Sequence, residues 1–295
     1  MRVLVTGGSG FIGRHIVARL SEREEVLAPR HAELDLTDAA SVGAWLRSHA
    51  VDAVVHAAVK PGHRNARDRS ALLDQNLRQF FSLARLRGLF GRFVVVGSGA
   101  AYGLQRPLAS VAEGSLGDAV PEDEHGLSKF VEAVWLTGDA DAVELRPFGV
   151  YGPGEDYSIR FISNACCKAL LGMPVTLRRD RLFSYVWVDD LAAVVERALG
   201  TGSGALPPGA YNVTPGDPVS LRGVADLVVA AAGREVPVQV AEAGAGREYS
   251  GSGAKLTLAA ADLAWTGIED GVALLANWYR ERLDTIDRVA LEADR

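Results

Sequence analysis

The sequence predicts an α/β fold in which a doubly wound parallel sheet is followed by a smaller C-terminal α/β lobe. Two observations support this fold class. Residues 1–150 alternate short β-rich runs with helical patterns, which is typical of a parallel sheet covered on both faces. After residue 153 the alternation loosens and loops become more frequent. We therefore expect the sheet domain in residues 1–150 and a substrate-binding lobe in residues 151–295.

Five apolar, β-rich runs are expected to form the strands of the sheet, at residues 3–5, 25–28, 53–56, 93–96 and 143–145. Between them, helical patterns begin near Gly10, Asp38, Ser70 and Glu122. Asp38 is a good N-cap residue because its short carboxylate can accept hydrogen bonds from the first free N–H groups of a helix. One later strand-helix unit, residues 185–199, is expected to return to the main sheet and so to belong to the first domain.

Composition and charge exclude several classes of protein. The chain has 295 residues, a net charge of −6 and 48% hydrophobic residues, and its isoelectric point is about 5.6. This balance argues against a nucleic-acid or membrane-surface partner. The two cysteines, Cys166 and Cys167, are adjacent and suggest no disulfide framework. With no long apolar run and no metal-ligand spacing, we expect a cytoplasmic protein without a metal site.

A glycine-rich turn follows the first predicted strand. Gly7, Gly10 and Gly13 form a G-x-x-G-x-x-G pattern that leads directly into the first helical pattern. Such glycines permit a tight turn, close approach of a pyrophosphate and packing of the helix on the strand, while the helix N-terminus faces the phosphates. The pattern therefore predicts a Rossmann-type sheet that binds NAD(H) or NADP(H). Phe11, Ile12 and Arg14 complete the cofactor-binding segment of this turn.

The end of the second predicted strand bears on the choice of cofactor. An acidic residue there accepts hydrogen bonds from the ribose hydroxyls of NAD(H), whereas a cation accommodates the 2′-phosphate of NADP(H). This chain has Arg30 and His31 at that point, and Arg14 is a further cation. NADP(H) is favoured, and NAD(H) remains the alternative if Arg30 is only a solvated loop residue.

These residues resemble the extended short-chain dehydrogenase/reductases, the NAD(P)-dependent epimerase/dehydratase family that acts on nucleotide-activated sugars. The likeness spans nearly the whole chain and is greatest to GDP-fucose synthase-like reductase/epimerases. The segment 146–153, R-P-F-G-V-Y-G-P, is similar to the family's R-x-x-N-V-Y-G-P, with Gly149 in place of the asparagine. By the same resemblance, further cofactor-binding residues are Asp35, Leu36, Ala57, Ala58, Asn76 and Pro147.

The resemblance also implies the catalytic residues. The family uses Ser or Thr, Tyr and Lys, in which the tyrosine passes a proton to or from the sugar oxygen and the lysine binds the cofactor ribose. Ser98 stands at the serine position and Lys129 at the lysine position. The tyrosine, four residues before the lysine, is replaced by His125.

Three interpretations of His125 are open. It can be the acid/base itself, since an imidazole pKa of about 6.5 suits proton transfer, although Lys129 would lower that pKa and the ring reaches roughly 2 Å less far than a phenol. Another group can supply the proton, with Tyr102, Lys60 and His63 as candidates. Alternatively, the site is catalytically silent.

A second departure from the family concerns the substrate. The arginine that the family uses to reach the nucleotide diphosphate is replaced by Phe183. Nearby arginines could take over this role, or could lie on a solvated surface. Candidate substrate-binding residues are Lys60, His63, Tyr102, Arg160, Asn164 and Arg181, with Arg178 and Arg179 as further candidate cations.

Together these features imply an NADP(H)-dependent reductase or epimerase/reductase acting on a nucleotide-activated keto sugar. The alternative is a catalytically silent NAD(P)-binding protein that acts as a sensor or partner subunit. Apolar stripes in the helical patterns of residues 70–87 and 122–137 match the helices that this family pairs into a dimer interface, so a homodimer is expected.

Overall fold

The computed structural model describes residues 1–63, 65–66, 68–200 and 204–292. Its strands are β1 Arg2–Thr6, β2 Glu25–Leu27, β3 Ala53–His56, β4 Arg92–Val96, β5 Leu108–Val111, β6 Ala142–Pro147, β7 Gly149–Tyr151, β8 Val175–Leu177, β9 Leu182–Phe183, β10 Tyr185–Trp187, β11 Gly209–Val213, β12 Val219–Ser220, β13 Val238–Val240 and β14 Tyr249–Gly251. The helices are α1 Phe11–Leu20, α2 Ala39–His49, α3 Leu72–Ala84, α4 Glu124–Leu136, α5 Phe161–Leu170, α6 Val188–Leu199, α7 Leu221–Ala232, α8 Ala254–Ala259, α9 Ile268–Arg280 and α10 Arg288–Glu292.

A six-stranded parallel sheet forms the main domain, in the order β11-β6-β4-β3-β1-β2. The five strands and four helices predicted in residues 1–150 are all present, within a few residues of the expected bounds. Asp38 caps α2, because its carboxylate accepts hydrogen bonds from the N–H groups of Ala40 and Ser41. The predicted fold class is therefore confirmed.

The two faces of the sheet bury alternate side chains of each strand. Val3 and Val5 of β1 pack with α1 and α6 on one face, whereas Leu4 packs with α2, α3 and α4 on the other. All three side chains are fully buried. The sheet is thus covered on both sides, as its near-continuous apolar runs predict.

The sequence interpretation of residues 185–199 was correct for the helix and wrong for the strand. Helix α6 packs against α1 and the main sheet. Strand β10 instead pairs in parallel with β7, in a separate two-stranded sheet. The sixth strand of the main sheet is β11, which pairs with β6 and was not predicted as a strand.

The C-terminal lobe has its own apolar core, built mainly from α5, α7 and α9. A four-stranded sheet in the order β12-β9-β14-β5 connects this lobe to the segment that follows β4. Consequently β14 of the C-terminal lobe pairs with β5, the next strand after β4 along the chain. In the described part of the chain, no helix is long and apolar enough to cross a membrane.

Candidate active site

The glycine turn between β1 and α1 is closely packed. Gly7 has φ +73°, and a Cβ there would lie 2.7 Å from the Ala57 carbonyl. A Cβ at Gly13 would lie 2.0 Å from the Gly7 carbonyl oxygen. The Gly10 N–H donates to that same oxygen at 2.9 Å and closes the turn. The turn also packs against Ala57, the residue that follows β3. The first N–H groups of α1 lack helical partners and are free to bind an anion.

A cavity of about 580 Å³ opens above this turn at the carboxyl ends of the strands. A cavity of this size suits a cofactor, and this edge of an open parallel sheet is where ligands bind. Of the residues predicted from the sequence, its lining includes Gly7, Gly10, Phe11, Ile12, Gly13, His31, Leu36, Ala57, Ala58, Lys60 and Arg160. The close-packed glycines and the free helix N-terminus fit a dinucleotide at this place.

Sequence reasoning missed part of the lining. The additional residues are Thr6, Ser9, Pro29, Leu34, Val59, Asp68, Gln75 and Gln79. Gln75 and Gln79 lie four residues apart on α3, so both amides face the cavity from one side of the helix. In the sequence, the only indication of this role is the position of the two glutamines next to Asn76 on one helical pattern. This indication is weak, because polar residues at the same spacing also occur on solvated helix faces.

Several predicted cofactor residues lie outside the cavity lining. These are Arg14, Arg30, Asp35, Asn76, Lys129 and Pro147. Arg14 Nη2 donates to the Gly154 carbonyl at 3.0 Å, which links α1 to the C-terminal lobe. Asp35 accepts hydrogen bonds from both the N–H and the hydroxyl of Thr37, and these two bonds lower its pKa. Arg30 is exposed directly after β2.

The loop after β3 is fixed above the cavity. Lys60 Nζ donates to Asp68 at 2.6 Å and to the Ser70 carbonyl at 2.7 Å, and the Lys60 N–H donates to Asn76 Oδ1. These bonds occupy the Lys60 ammonium, so it is poorly placed to donate a proton to a substrate. Within the same loop, burial and then Arg160 lower the pKa of His63.

The three predicted catalytic residues lie on adjacent elements. Ser98 directly follows β4, and its hydroxyl accepts the Ala100 N–H at 3.1 Å. Asp123 caps α4 through the Gly126 N–H, which places His125 and Lys129 one turn apart on that helix. Burial first, and then Lys129, lower the pKa of His125 to about 4. The imidazole is therefore neutral at pH 7.

Lys129 is buried and ion-paired. Its Nζ donates to Glu132 at 2.8 Å and to the Val96 carbonyl at 3.2 Å. Lys129 and Glu132 are 4% and 2% exposed. The Lys129 ammonium thus lies at the carboxyl end of β4, where Glu132 compensates its charge. It does not line the cavity, where the resemblance places it.

Tyr102 and Asn164 are not available to a ligand in this structure. Tyr102 is fully buried, donates to Asn212 at 2.8 Å and accepts from Arg146 at 2.8 Å. Asn164 is 3% exposed, and its amide donates to the Tyr157 carbonyl. The expectation that Tyr102 touches substrate is therefore wrong, because a neighbouring arginine and asparagine occupy its hydroxyl.

The candidate arginines separate into two groups. Arg178 and Arg179 both form ion pairs with Glu242, each at 2.6 Å. Arg160 is the N-cap residue of α5 and lines the cavity, whereas the guanidinium carbon of Arg181 lies 5.0 Å from the centroid of the Phe183 ring. Burial raises the pKa of Tyr185 and Tyr249, and the charges of Arg160 and Arg181 act on both phenols in the opposite direction. These two are the better placed cations for a diphosphate.

Two of the three departures from the family pattern, Gly149 and Phe183, meet in space. A Cβ at Gly149 would lie 2.6 Å from the Phe183 ring and 2.7 Å from the Tyr185 ring. Phe183 and Tyr185 stack with their ring centroids 4.7 Å apart. Gly149 stands in place of the family's asparagine and Phe183 in place of its arginine. The glycine has no side chain, so it leaves room for the stacked rings of Phe183 and Tyr185.

Comparison with known proteins supports the family. The model of the NAD dependent epimerase/dehydratase family matches residues 3–214. The chain is 30% identical over 269 residues to dTDP-4-dehydro-6-deoxy-D-allose reductase of Streptomyces bikiniensis, covering 79% of this chain and 81% of that protein. It is 29% identical to GDP-6-deoxy-D-mannose reductase of Pseudomonas aeruginosa, covering 77% and 79%.

A solved structure gives the same result. The complex of Thermus thermophilus UDP-glucose 4-epimerase with NAD superposes with a TM-score of 0.77 and 28% sequence identity, over 95% of this chain and 99% of that chain. The chain therefore belongs to the NAD dependent epimerase/dehydratase family, and it is an NAD(P)-dependent enzyme of that family.

Proposed function

We propose that this enzyme is an NADP(H)-dependent reductase, or epimerase/reductase, of a nucleotide-activated keto sugar. The observation that carries the proposal is the position of Arg160. It lines the cofactor cavity directly before the first residue of α5. A guanidinium from the C-terminal lobe thus lines the cofactor cavity, where a sugar joined to a diphosphate would need an anion-binding group.

In this proposal the chain's own residues orient the substrate. Arg160 and Arg181 bind the diphosphate, because both are free of carboxylate partners among the described residues. The Ser98 hydroxyl donates a hydrogen bond to the reacting sugar oxygen, while its Oγ accepts the Ala100 N–H. When bound, the nicotinamide supplies or takes up the hydride. The two relatives named above, which reduce dTDP- and GDP-linked sugars by their names, support this substrate class.

The test is turnover with defined substrates. Purified protein is incubated with NADPH and a panel of UDP-, GDP- and dTDP-linked 4-keto-6-deoxy sugars, and NADPH oxidation is followed by absorbance. Mass spectrometry of the product identifies gain of two hydrogens. Oxidation of NADPH that depends on one of these sugars is expected.

One observation favours a second function, that of a catalytically silent NAD(P)-binding protein. Lys129 is neutralised by Glu132 and lies outside the cavity lining. Tight binding of NADPH without oxidation across the whole sugar panel would establish this alternative.

We expect NADPH to bind more tightly than NADH. No carboxylate closes β2, and Arg30 with His31 follows that strand. Arg30→Ala should weaken NADPH binding about tenfold, roughly 1.4 kcal/mol, because a charged contact with the 2′-phosphate is lost. Binding of NADH should be unchanged. Fluorescence titration of both cofactors measures this, with Arg85→Ala, at the exposed end of α3, as the control; equal wild-type affinities would contradict the proposal.

We also propose a cytoplasmic homodimer formed through α3 and α4. The inner residues of the predicted stripes, such as Phe80 and Leu83, are buried within the monomer, whereas Val134 is 48% exposed beside partly exposed Val131 and Phe81. Val134→Glu is expected to yield monomers, because it places a charge in the apolar interface. Light scattering at micromolar concentration measures the mass, with Leu258→Glu on α8 as the control. A monomeric wild-type protein would exclude this interface.

A further inference from the structure

Residues 152–160, which join β7 to α5, form a strap that is tied to the start of α1. Arg14 Nη2 donates to the Gly154 carbonyl at 3.0 Å, and His15 Nε2 lies 3.0 Å from the Pro153 carbonyl oxygen. Gly154 has φ +82°, and a Cβ there would lie 2.6 Å from the Arg14 guanidinium. The strap therefore passes close to α1 and connects the helix at the cofactor cavity to the C-terminal lobe.

The His15 ring has an acceptor at both of its nitrogens. His15 Nδ1 lies 2.6 Å from Asp189 Oδ1, and Nε2 faces the Pro153 carbonyl. The other oxygen of Asp189 accepts the Trp187 Nε1–H at 3.1 Å. This carboxylate stands in the first turn of α6, where the helix dipole stabilises a negative charge. Neither an ionised carboxylate nor a carbonyl has a proton to donate, so both ring nitrogens must donate and His15 is an imidazolium.

The charged groups around the ring agree with this protonation state. The hydrogen bond to Asp189 raises the pKa of His15 above the 6.5 of an ordinary histidine, and it outweighs burial and the Arg14 charge, which lower that pKa. The same hydrogen bond lowers the pKa of Asp189, and the charge of Arg19 on α1 contributes to this shift. The His15 side chain is 14% exposed, so a proton that leaves the ring can reach solvent.

The strap connects Pro153 rigidly to Arg160. Glu155, two residues after Pro153, is 8% exposed and accepts a hydrogen bond from Ser163 Oγ of α5 at 2.7 Å. Arg160 is the N-cap residue of α5, and its N–H donates to the Asp156 carbonyl at 3.0 Å. A shift of the strap at Pro153 therefore displaces the start of α5, and with it the Arg160 side chain that lines the cavity.

We infer that His15 is a positioning residue, which holds Arg160 in the substrate site through the strap and releases it when the ring loses a proton. The inference rests on the function proposed above, in which Arg160 binds the diphosphate. A neutral imidazole has one N–H and one lone pair, so it cannot donate to both acceptors. The ionised Asp189 is the stronger acceptor and keeps the N–H. The Nε2 proton goes to solvent, its lone pair faces the Pro153 carbonyl oxygen, and the strap loses this bond to α1.

His15→Gln is the primary test, because the glutamine amide cannot donate to acceptors on two sides. With a sugar that the wild type reduces, KM for the sugar is expected to rise about tenfold, the usual effect of losing a hydrogen bond to a charged group. The kcat should stay within about threefold, since a contact that is equal in the ground and transition states affects KM alone. The dissociation constant for NADPH should also stay within about threefold. His49→Gln, at the last residue of α2 and outside the cavity lining, is the matched control and should behave as the wild type.

The dependence of KM on pH distinguishes positioning by a charged ring from a purely structural role. Since the pKa of His15 is raised in the folded protein, the wild-type KM should be low below about pH 6.5 and should rise as pH increases through that pKa. In His15→Gln the KM should be high and constant over the same range. Asp189→Asn should lower the pKa of His15 by about one unit and move the rise in KM to lower pH by the same amount. A wild-type KM that does not change across this range would overturn the inference and leave the proposed function intact.

A measurement without substrate covers the case in which no sugar is turned over. The histidine NMR signal that is missing in His15→Gln gives the pKa of His15. Hydrogen exchange is followed at the strap amides that donate hydrogen bonds, those of Glu155, Ser158, Ile159 and Arg160. Below the pKa of His15 these amides should exchange about tenfold more slowly in the wild type than in His15→Gln, and above it the difference should disappear.

The two failures are distinguishable by this measurement. A His15 pKa at or below 6.5, or equal exchange of the strap in both proteins at every pH, would overturn the inference. Absence of turnover together with the expected exchange would remove the proposed function, whereas the coupling of His15 to the strap would stand.

Discussion

Gly13→Ala is expected to raise the dissociation constant for NADPH by at least 10²-fold. The added Cβ would lie 2.0 Å from the Gly7 carbonyl oxygen, 2.7 Å from the Gly7 carbonyl carbon and 2.9 Å from Gly8 Cα. All three are backbone atoms, so no side-chain rotation relieves the overlap. Helix α1 must move away from the turn, which separates the free N–H groups of the helix from the glycines that admit the pyrophosphate.

Gly43→Ala on α2 is the matched control. Gly43 is also a buried helical glycine, but its nearest atom to an added Cβ is the end of the flexible Arg47 side chain, at 3.3 Å. Helix propensity favours alanine there by up to about 1 kcal/mol. Calorimetric titration of both variants with NADPH compares them. If Gly13→Ala binds within threefold of wild type, the turn does not hold the phosphates.

The sequence predicts those parts of this molecule that depend on neighbouring residues in the chain. These parts are the apolar runs of β1, β3 and β4, the cap at Asp38 and the glycine turn. Each is a local pattern with a direct physical cause. The identity of strand partners is not local. Strand β10 was expected in the main sheet and pairs with β7 instead, since its short apolar pattern does not specify which edge it joins.

Strand β11 was missed for a related reason. It follows Pro207 and Pro208 and begins at Gly209, so its sequence indicates a loop. Its strand conformation depends on the parallel edge of β6, to which it adds as the sixth strand. Tertiary pairing overrides the local preference here, as it does for many edge strands.

The candidate site shows the same division between local and tertiary signals. The glycines, Ser98, His125 and Lys129 could be identified from motif spacing, whereas the burial of Lys129 in an ion pair with Glu132 could not. That burial depends on how α4 packs against α3 and the sheet. Likewise, the sequence could not show that Arg178 and Arg179 are ion-paired, because their partner Glu242 lies far along the chain.

Beneath the site, Glu144→Ala is expected to reduce the free energy of unfolding by about 3–5 kcal/mol. Glu144 accepts a hydrogen bond from Arg146 Nη2 at 2.6 Å, and the two residues are 2% and 1% exposed. The remaining partners of the guanidinium are uncharged: the Glu113 carbonyl and the Tyr102 hydroxyl, which is neutral at physiological pH because burial raises its pKa. Removing the carboxylate therefore leaves a buried positive charge without compensation.

A double-mutant cycle distinguishes this cause from simple loss of packing. Arg146→Met alone leaves Glu144 buried and unpaired next to Glu132, whose pKa is already raised by burial, and should cost a similar amount. The double variant Glu144→Ala/Arg146→Met removes both charges together. It should therefore be less destabilised than the sum of the two single variants by at least about 2 kcal/mol. Urea unfolding measures all three. Additive losses would mean that the pair stabilises the fold through its packing and not through its charge.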